Sequence, residues 1–345
     1  MPGSRAGPRW RPRVDRVLIE AFSAARDPTD STTNEDTLVV LPGRAYAVID
    51  GVTDRSGVRY DGVLSGRYAA RLLAGELERG LDDTMLRAPL LAVARLTAAM
   101  ARVYAARGNT EVARADWGQR IAATLALATT DDEAVRIVLV GDSGVRLNGV
   151  DVVRAEKDLD RITSLLRAHS WHLAAARTQD PEQRERAARA VALWGTAQDA
   201  AGLPAPLTQA DLAALHASTL AESMRTMPHL PPDLVSALLA SGIAHGQGIH
   251  ENNPHSVLGY SCLDGFPVPP QLIRVLERPR AEVATVELFT DGYFQPGKAF
   301  GVASWEAAFR EVERTDAEKV RTHLSPKGST SRVFADDRTY LGVRL

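Results

Sequence analysis

The chain has 345 residues, a formal net charge of −2 and 24% charged residues. This balance excludes the broad basic surface of a nucleic-acid-binding protein and also excludes an acidic tail. The length allows one large domain or two small ones with a substantial core. Because Cys262 is the only cysteine, an intrachain disulfide and a multi-cysteine zinc site are excluded. We interpret it as a buried, small apolar residue and not as a nucleophile.

The first 16 residues are rich in Arg and Pro and lack the apolar segment of a secretion signal, so we expect a flexible basic arm. Runs of β-branched and apolar residues then predict strands at 17–23, 37–41, 45–49, 121–129, 134–140, 145–147, 272–276, 283–289 and 340–345. Helical periodicity predicts helices at 65–81, 85–107, 159–178, 181–200, 208–226, 232–244 and 304–314. Asn148-Gly149 predicts a tight hairpin. This order is typical of sheets covered by helices on their outer faces.

Residues 17–345 are expected to form one domain with a helical insert at about 159–244. No apolar run approaches the length needed to span a membrane. We therefore expect a cytoplasmic protein with neither a membrane nor a nucleic acid as its partner. The sequence leaves the oligomeric state open.

Acidic residues stand at the ends of several predicted strands. Five segments share this feature: Asn34-Glu35-Asp36, Asp50-Gly51, Gly141-Asp142-Ser143, Thr290-Asp291-Gly292 and Asp336-Asp337-Arg338-Thr339. A carboxylate at the end of a core strand costs free energy unless it is paired, and a metal ion is a common partner. Any one segment alone is better interpreted as an ordinary polar turn. If the strands share one sheet system, however, the acids can converge and bind hard cations.

Taken in this order, and together with Ala122-Ala123-Thr124-Leu125, the five segments resemble the type 2C metal-dependent protein phosphatase family. The resemblance spans residues 17 to 345. It implies an α+β fold, a four-layer α-β-β-α sandwich of two antiparallel sheets flanked by helices. In that fold the metals lie at one end of the sandwich.

The resemblance also implies a metal site with two Mg²⁺ or Mn²⁺ ions and a weaker third ion. The positions that match the family's metal ligands are Glu35, Asp36, Asp50, Gly51, Asp142, Asp291 and Asp336. Asp50 would bridge the two main ions, and Asp36 would orient a coordinated water, which makes these two the catalytic candidates. Asp291 and Asp336 would complete the coordination of the first ion.

The remaining positions fill the other two metal sites that the family implies. Glu35 and the Gly51 carbonyl would hold the second ion. Asp142, together with Asp291, would match the third.

Three positions depart from the family pattern. Ser31 stands where a phosphate-binding arginine is expected, Val52 stands where eukaryotic members carry a histidine, and Gly144 stands where an arginine is usual. Bacterial members often lack the histidine too. The arginines that could replace the missing phosphate-binding residue are Arg26, Arg55 and Arg59.

The function implied is hydrolysis of phosphomonoesters by a metal-activated water without a covalent intermediate. The expected substrate is phosphoserine or phosphothreonine in a protein. Two alternatives stay open: a phosphatase for a small phosphorylated metabolite, and a non-catalytic metal-binding regulator. The helical insert either selects the substrate or only enlarges the core or mediates dimerisation.

Overall fold

The structure is a computed structural model that describes residues 17–53, 57–199 and 207–345. The expected N-terminal arm and Arg55 lie outside the described residues. The strands are Leu18–Ala24 (β1), Asp36–Leu41 (β2), Ala45–Gly51 (β3), Arg59–Tyr60 (β4), Val63–Leu64 (β5), Ala123–Thr130 (β6), Ala134–Val140 (β7), Gly144–Leu147 (β8), Asp151–Val153 (β9), Arg274–Pro279 (β10), Thr285–Phe289 (β11) and Arg338–Arg344 (β12). The helices are Ser65–Glu78 (α1), Asp83–Arg87 (α2), Pro89–Arg107 (α3), Thr110–Ala115 (α4), Asp158–Ala175 (α5), Pro181–Trp194 (α6), Gln209–Thr226 (α7), Pro232–Gly246 (α8) and Val302–Asp316 (α9).

Ten of these strands form two five-stranded sheets with the orders β1-β12-β11-β8-β9 and β10-β7-β6-β3-β2. Neighbouring strands in both sheets pair antiparallel. Alternate apolar side chains point from each sheet into a shared core, where Val48 and Ile137 of one sheet lie in the same cluster as Leu288 and Leu341 of the other. The two sheets are therefore stacked face to face.

Helices cover the outer faces of this sandwich. Leu73 of α1 and Leu96 of α3 pack with Ile49 of β3 on one side. On the other side, Trp305 of α9 packs with Phe289 of β11. The prediction of two antiparallel sheets flanked by helices is confirmed.

The predicted helix at 85–107 is wrong at its start, because the structure has two helices, α2 and α3, that meet at Ala88 and Pro89. A residue before proline is disfavoured in the helical conformation, and Ala88 has φ −128° and ψ 74°. By length and composition α3 could cross a membrane, contrary to the expectation that no apolar run is long enough. Its Leu96 and Met100 are buried against the rest of the protein, as in the core helix of a globular fold.

The hairpin predicted at Asn148-Gly149 joins β8 to β9, and both of its residues have positive φ, 54° and 72°. Helix α4 and the small β4–β5 hairpin are not predicted from the sequence, because they lie in short polar segments without clear periodicity.

Helices α5 to α8, which we call the helical section (residues 158–199 and 207–246), pack around one apolar cluster that also includes Ala122 and Cys262. Leu166 of α5, Val191 of α6 and Leu239 of α8 lie in one buried cluster. The helical section thus packs as a unit beside the end of the sandwich where the acidic segments lie.

Candidate metal-binding site

Two acidic residues face each other across the first strand pair of the site. In the antiparallel register of β2 and β3, Asp36 lies opposite Asp50. Thr290, just after β11, donates a hydrogen bond of 2.7 Å from its hydroxyl to Oδ2 of Asp36. The hydroxyl also accepts from the backbone N–H of Thr339 at 2.8 Å. Thr290 therefore fixes Asp36 from the opposite sheet.

Two more strand ends bring carboxylates to the same place. Asp142 follows β7 and Asp291 follows β11. Each of Asp50, Asp142 and Asp291 offers a carboxylate oxygen within 4.8 Å of the other two. Residues that are far apart in sequence thus form one acidic cluster, as strands ending at the same edge of a sandwich allow.

Glycines let the backbone approach Glu35 closely. A Cβ at Gly51 would lie 2.3 Å from the backbone of Gly66, and a Cβ at Gly66 would lie 2.6 Å from Oε1 of Glu35. The amide of Gly51 also donates to the Glu35 carbonyl at 3.2 Å. Only glycine fits at this crossing, so the carboxylate of Glu35 lies against the start of α1 beside β3.

Asp337 ties two segments together behind the acidic cluster. Its carboxylate accepts backbone hydrogen bonds from Arg26 at 2.6 Å and from Glu35 at 2.8 Å. This residue was not predicted as a site residue. Its neighbour Asp336 lines the cavity and is one of the predicted metal ligands.

Burial and mutual repulsion perturb the acidic side chains. Burial, and then the charge of Asp291, raise the pKa of Asp50 well above its ordinary range. Burial, followed by the charge of Asp336, raises the pKa of Asp291 to about 7. Burial also raises the pKa of Glu35 to about 7. Such a cluster holds protons at neutral pH unless cations neutralise it.

Two lysines, neither of them predicted, partly balance the cluster. Lys157 contacts Asp142 at 2.7 Å, and Lys327 contacts Asp336 at 2.8 Å. Burial alone would raise the pKa of Asp142, but the ammonium of Lys157 brings it below the ordinary value. No pattern in the sequence marks these lysines, because both contacts depend on the tertiary fold.

The donor set fits divalent cations. Among the described residues, buried oxygens of Glu35, Asp36 and Asp142 (Oε1, Oδ1 and Oδ1) have no hydrogen-bond partner. An unpartnered, buried carboxylate oxygen is costly, and it is the type of ligand that Mg²⁺ and Mn²⁺ prefer. The predicted ligands Asp50, Asp142 and Asp291 are brought together, and Asp336 shares their cavity.

A cavity of about 330 Å³ opens over these carboxylates. The helical section contributes part of the wall through Asp160 of α5, Arg189 and Leu193 of α6, and Ile243 of α8. The segment 325–327 forms another part of the wall. A ligand over the acidic cluster would therefore contact both the sandwich and the helical section.

The predicted phosphate-binding arginines lie elsewhere in the described part of the chain. Arg59 is exposed and donates to the Gly62 carbonyl at 3.1 Å. Arg26 lies beside Asp337, to which its backbone N–H donates. Neither is among the described residues that line the cavity.

No protein-family model and no curated protein matches this sequence. Among solved structures, the chain is similar to the Mycobacterium tuberculosis serine/threonine phosphatase PstP/Ppp, with 16% identity, a TM-score of 0.43 and coverage of 95% of this chain and 98% of that one. The Staphylococcus aureus serine/threonine phosphatase Stp1 has 10% identity, a TM-score of 0.43 and 99% coverage of both chains. The catalytic domain of the serine/threonine phosphatase PstP in complex with two manganese ions has 13% identity, a TM-score of 0.44 and coverage of 95% and 99%.

Proposed function

We propose that this protein is a Mg²⁺- or Mn²⁺-dependent phosphomonoester hydrolase that acts on phosphoserine or phosphothreonine in proteins. The observation that carries the proposal is the cluster of Asp50, Asp142 and Asp291, whose carboxylate oxygens lie within 4.8 Å of one another under a cavity. A protein that did not bind cations would have no physical reason to bury so many like charges together.

The residues that would hold the cations are Glu35, Asp50, Asp142, Asp291, Asp336 and the carbonyl of Gly51. When bound, divalent cations lower the pKa of a coordinated water and neutralise the charge that develops on phosphoryl oxygens. Asp36 would accept a hydrogen bond from the attacking water, and the support for this role is that Thr290 holds its Oδ2 while its buried Oδ1 has no hydrogen-bond partner.

Water is also the best attacker that the cavity offers. Cys262 lines the cavity, but burial raises the pKa of its thiol well above the ordinary value, and the Sγ lies 3.5 Å from the Ala123 carbonyl as a hydrogen-bond donor. A thiol that keeps its proton is a weak nucleophile. The state of this thiol supports direct attack by water, without a covalent intermediate.

The wall formed by the helical section supports a second candidate, a small phosphorylated metabolite. A cavity of about 330 Å³ closed on one side by α6 and α8 has room for a small molecule with one phosphoryl group. A phosphorylated side chain on a peptide could enter the same cavity from the open side.

The test is release of phosphate by the full chain from phosphoserine and phosphothreonine peptides, p-nitrophenyl phosphate and a panel of phosphorylated metabolites. We expect turnover with Mn²⁺ or Mg²⁺, its loss on chelation, and its loss in Asp50→Asn. Asp132→Asn, in an exposed turn, is the matched control and should keep full activity. Faster turnover of metabolites than of peptides would favour the second candidate, and tight Mn²⁺ binding without any turnover would contradict both.

A further inference from the structure

The cavity must also bind the phosphoryl group itself, and its wall is short of positive charge. Six acidic residues and three basic ones line it in the described part of the chain: Asp50, Asp142, Asp160, Glu251, Asp291 and Asp336 against Lys157, Arg189 and Lys327. A phosphate monoester carries up to two negative charges at neutral pH. A positively charged side chain within reach of the acidic cluster would add to the charge that bound cations supply.

Lys327 lies in this wall beside Asp336, one of the predicted metal ligands. Its Nζ donates to both carboxylate oxygens of Asp336, at 3.0 and 2.8 Å, and lies 3.4 Å from the Thr53 hydroxyl. Its charge also interacts with Asp291 and Asp50. Because an ammonium has three donors that rotate freely, it can keep Asp336 and turn another donor to a phosphoryl oxygen.

The other lysine is less suited to this role. Lys157 lies between Asp142, at 2.7 Å, and Asp160, at 3.9 Å, and its Nζ is 4.9 Å from the centre of the Tyr260 ring. Only 11% of its side chain is exposed, against 29% for Lys327. A ligand in the cavity can therefore reach the ammonium of Lys327 more easily.

Lys327 is held in the cavity by a segment that we call the lysine loop (residues 317–328). Arg167 of α5 is fully buried and donates to the carbonyls of Glu318, Lys319 and Ser325 in this loop. It also pairs with Glu185 of α6.

Glu185 in turn accepts from the backbone N–H of Gly328, next to the lysine, at 3.3 Å. A Cβ at Gly328 would lie 2.1 Å from the guanidinium of Arg167, so the loop fits tightly on the helical section. Two buried side chains of the helical section thus fix where Lys327 lies.

We propose that Lys327 binds the phosphoryl oxygens of the substrate and that Arg167 and Glu185 position it by holding the lysine loop against the helical section. This inference rests on the proposed function, because it assigns a binding residue to the same cavity. It gives the helical section a role in the site and supplies the positive charge that Ser31, Arg26 and Arg59 do not provide.

The experiment measures binding of inorganic phosphate to the full chain by calorimetry, in saturating Mg²⁺, together with the affinity for Mg²⁺ alone. In Lys327→Met we expect phosphate to bind about tenfold more weakly, the effect of one charge-assisted hydrogen bond. Lys327→Arg keeps the charge and should stay within about threefold of the wild type. Lys298→Met, on an exposed lysine, is the matched control and should bind phosphate like the wild type.

Two results would overturn the proposal. If Lys327→Met binds Mg²⁺ more tightly and phosphate as well as the wild type does, Lys327 is only a counter-ion of Asp336. If Lys157→Met loses phosphate binding and Lys327→Met does not, the other lysine has this role. Should Lys327→Met fail to fold, Lys327→Gln makes the same comparison with a polar side chain.

The readout separates this proposal from the proposed function, because phosphate binding needs no turnover. If the wild type hydrolyses phosphomonoesters and Lys327→Met has the same phosphate affinity and KM, the proposed function is supported and the role of Lys327 is contradicted. Lysine-dependent phosphate binding without hydrolysis of any phosphomonoester would support the phosphate site and remove the enzyme.

Discussion

Replacing Asp291 by Asn should stabilise the metal-free protein while removing its response to metal. The pKa of Asp291 is raised from 3.8 to about 7 by burial and then by Asp336. In the unfolded chain the carboxyl loses its proton near pH 4, whereas in the folded protein it loses it near pH 7. The folded state therefore binds more protons between these values, and stability falls as the pH rises through this window.

The size of the effect follows from this shift. A shift of roughly 3 units corresponds to about 4 kcal/mol of destabilisation once the pH is above 7. The neutral amide avoids this cost, so at pH 8 in a chelator we expect Asp291→Asn to be about 2–4 kcal/mol more stable than the wild type. At pH 5, where the folded wild type is protonated at this site, the gain should fall below about 2 kcal/mol.

Urea unfolding followed by circular dichroism at pH 5 and pH 8, in chelator and in excess Mn²⁺, measures both effects. Mn²⁺ should stabilise the wild type and have much less effect on Asp291→Asn. Asp132→Asn, in an exposed turn, removes one acidic charge outside the cluster and should change stability little at either pH. The reasoning would be refuted if Asp291→Asn were less stable than the wild type at pH 8 in chelator, or if its gain were equal at both pH values.

Three further predictions concern metal binding, the helical section and the close approach of Gly51 to Gly66. At a hundred times its Kd, Mn²⁺ should stabilise the wild type by about 2.7 kcal/mol in thermal unfolding, and Asp50→Asn should lose most of this shift; an equal shift in both proteins would contradict the assignment of Asp50. Arg167→Met leaves Glu185 as a buried, unpaired charge and should cost about 3–5 kcal/mol in urea unfolding, with partial recovery on adding Glu185→Leu; a loss below 1 kcal/mol would show that the pair is not needed. Gly51→Ala places a methyl group 2.3 Å from the backbone of α1 and should cost at least about 1–3 kcal/mol, whereas Gly75→Ala, in open space within α1, should gain about 0.5–1 kcal/mol; similar thermal midpoints for the two variants would contradict the close approach.

The strands and their acidic ends were predictable because both signals are local. A run such as residues 45–49 predicts a buried strand from composition alone, and Asp50 follows it directly in the sequence. The stacked antiparallel sheets of the structure bring Asp142 and Asp291 to the same edge as Asp50. The metal roles assigned to these residues stay predictions.

The positive side of the site could not be predicted in this way. Lys327 lies on an irregular loop, and its position depends on Arg167, which is 160 residues away in the sequence. Arg59 was a reasonable candidate by its closeness to Asp50 in sequence, but its guanidinium bonds to the Gly62 carbonyl outside the cavity. A local sequence pattern can predict an acidic residue at a strand end, whereas the tertiary fold determines which basic side chain pairs with it.

The charge balance of the cavity ties metal binding to phosphate binding. When all of them are ionised, the described lining residues include three more acidic than basic groups, so a phosphate dianion is repelled from the metal-free cavity once the pH is above the raised pKa values of the acidic cluster. Two divalent cations would turn this deficit of three into an excess of one, and Lys327 would then act on the anion with little opposition from Asp336. Phosphate should therefore bind only after the metal has bound. Removal of Lys327 should weaken phosphate binding but leave this order unchanged.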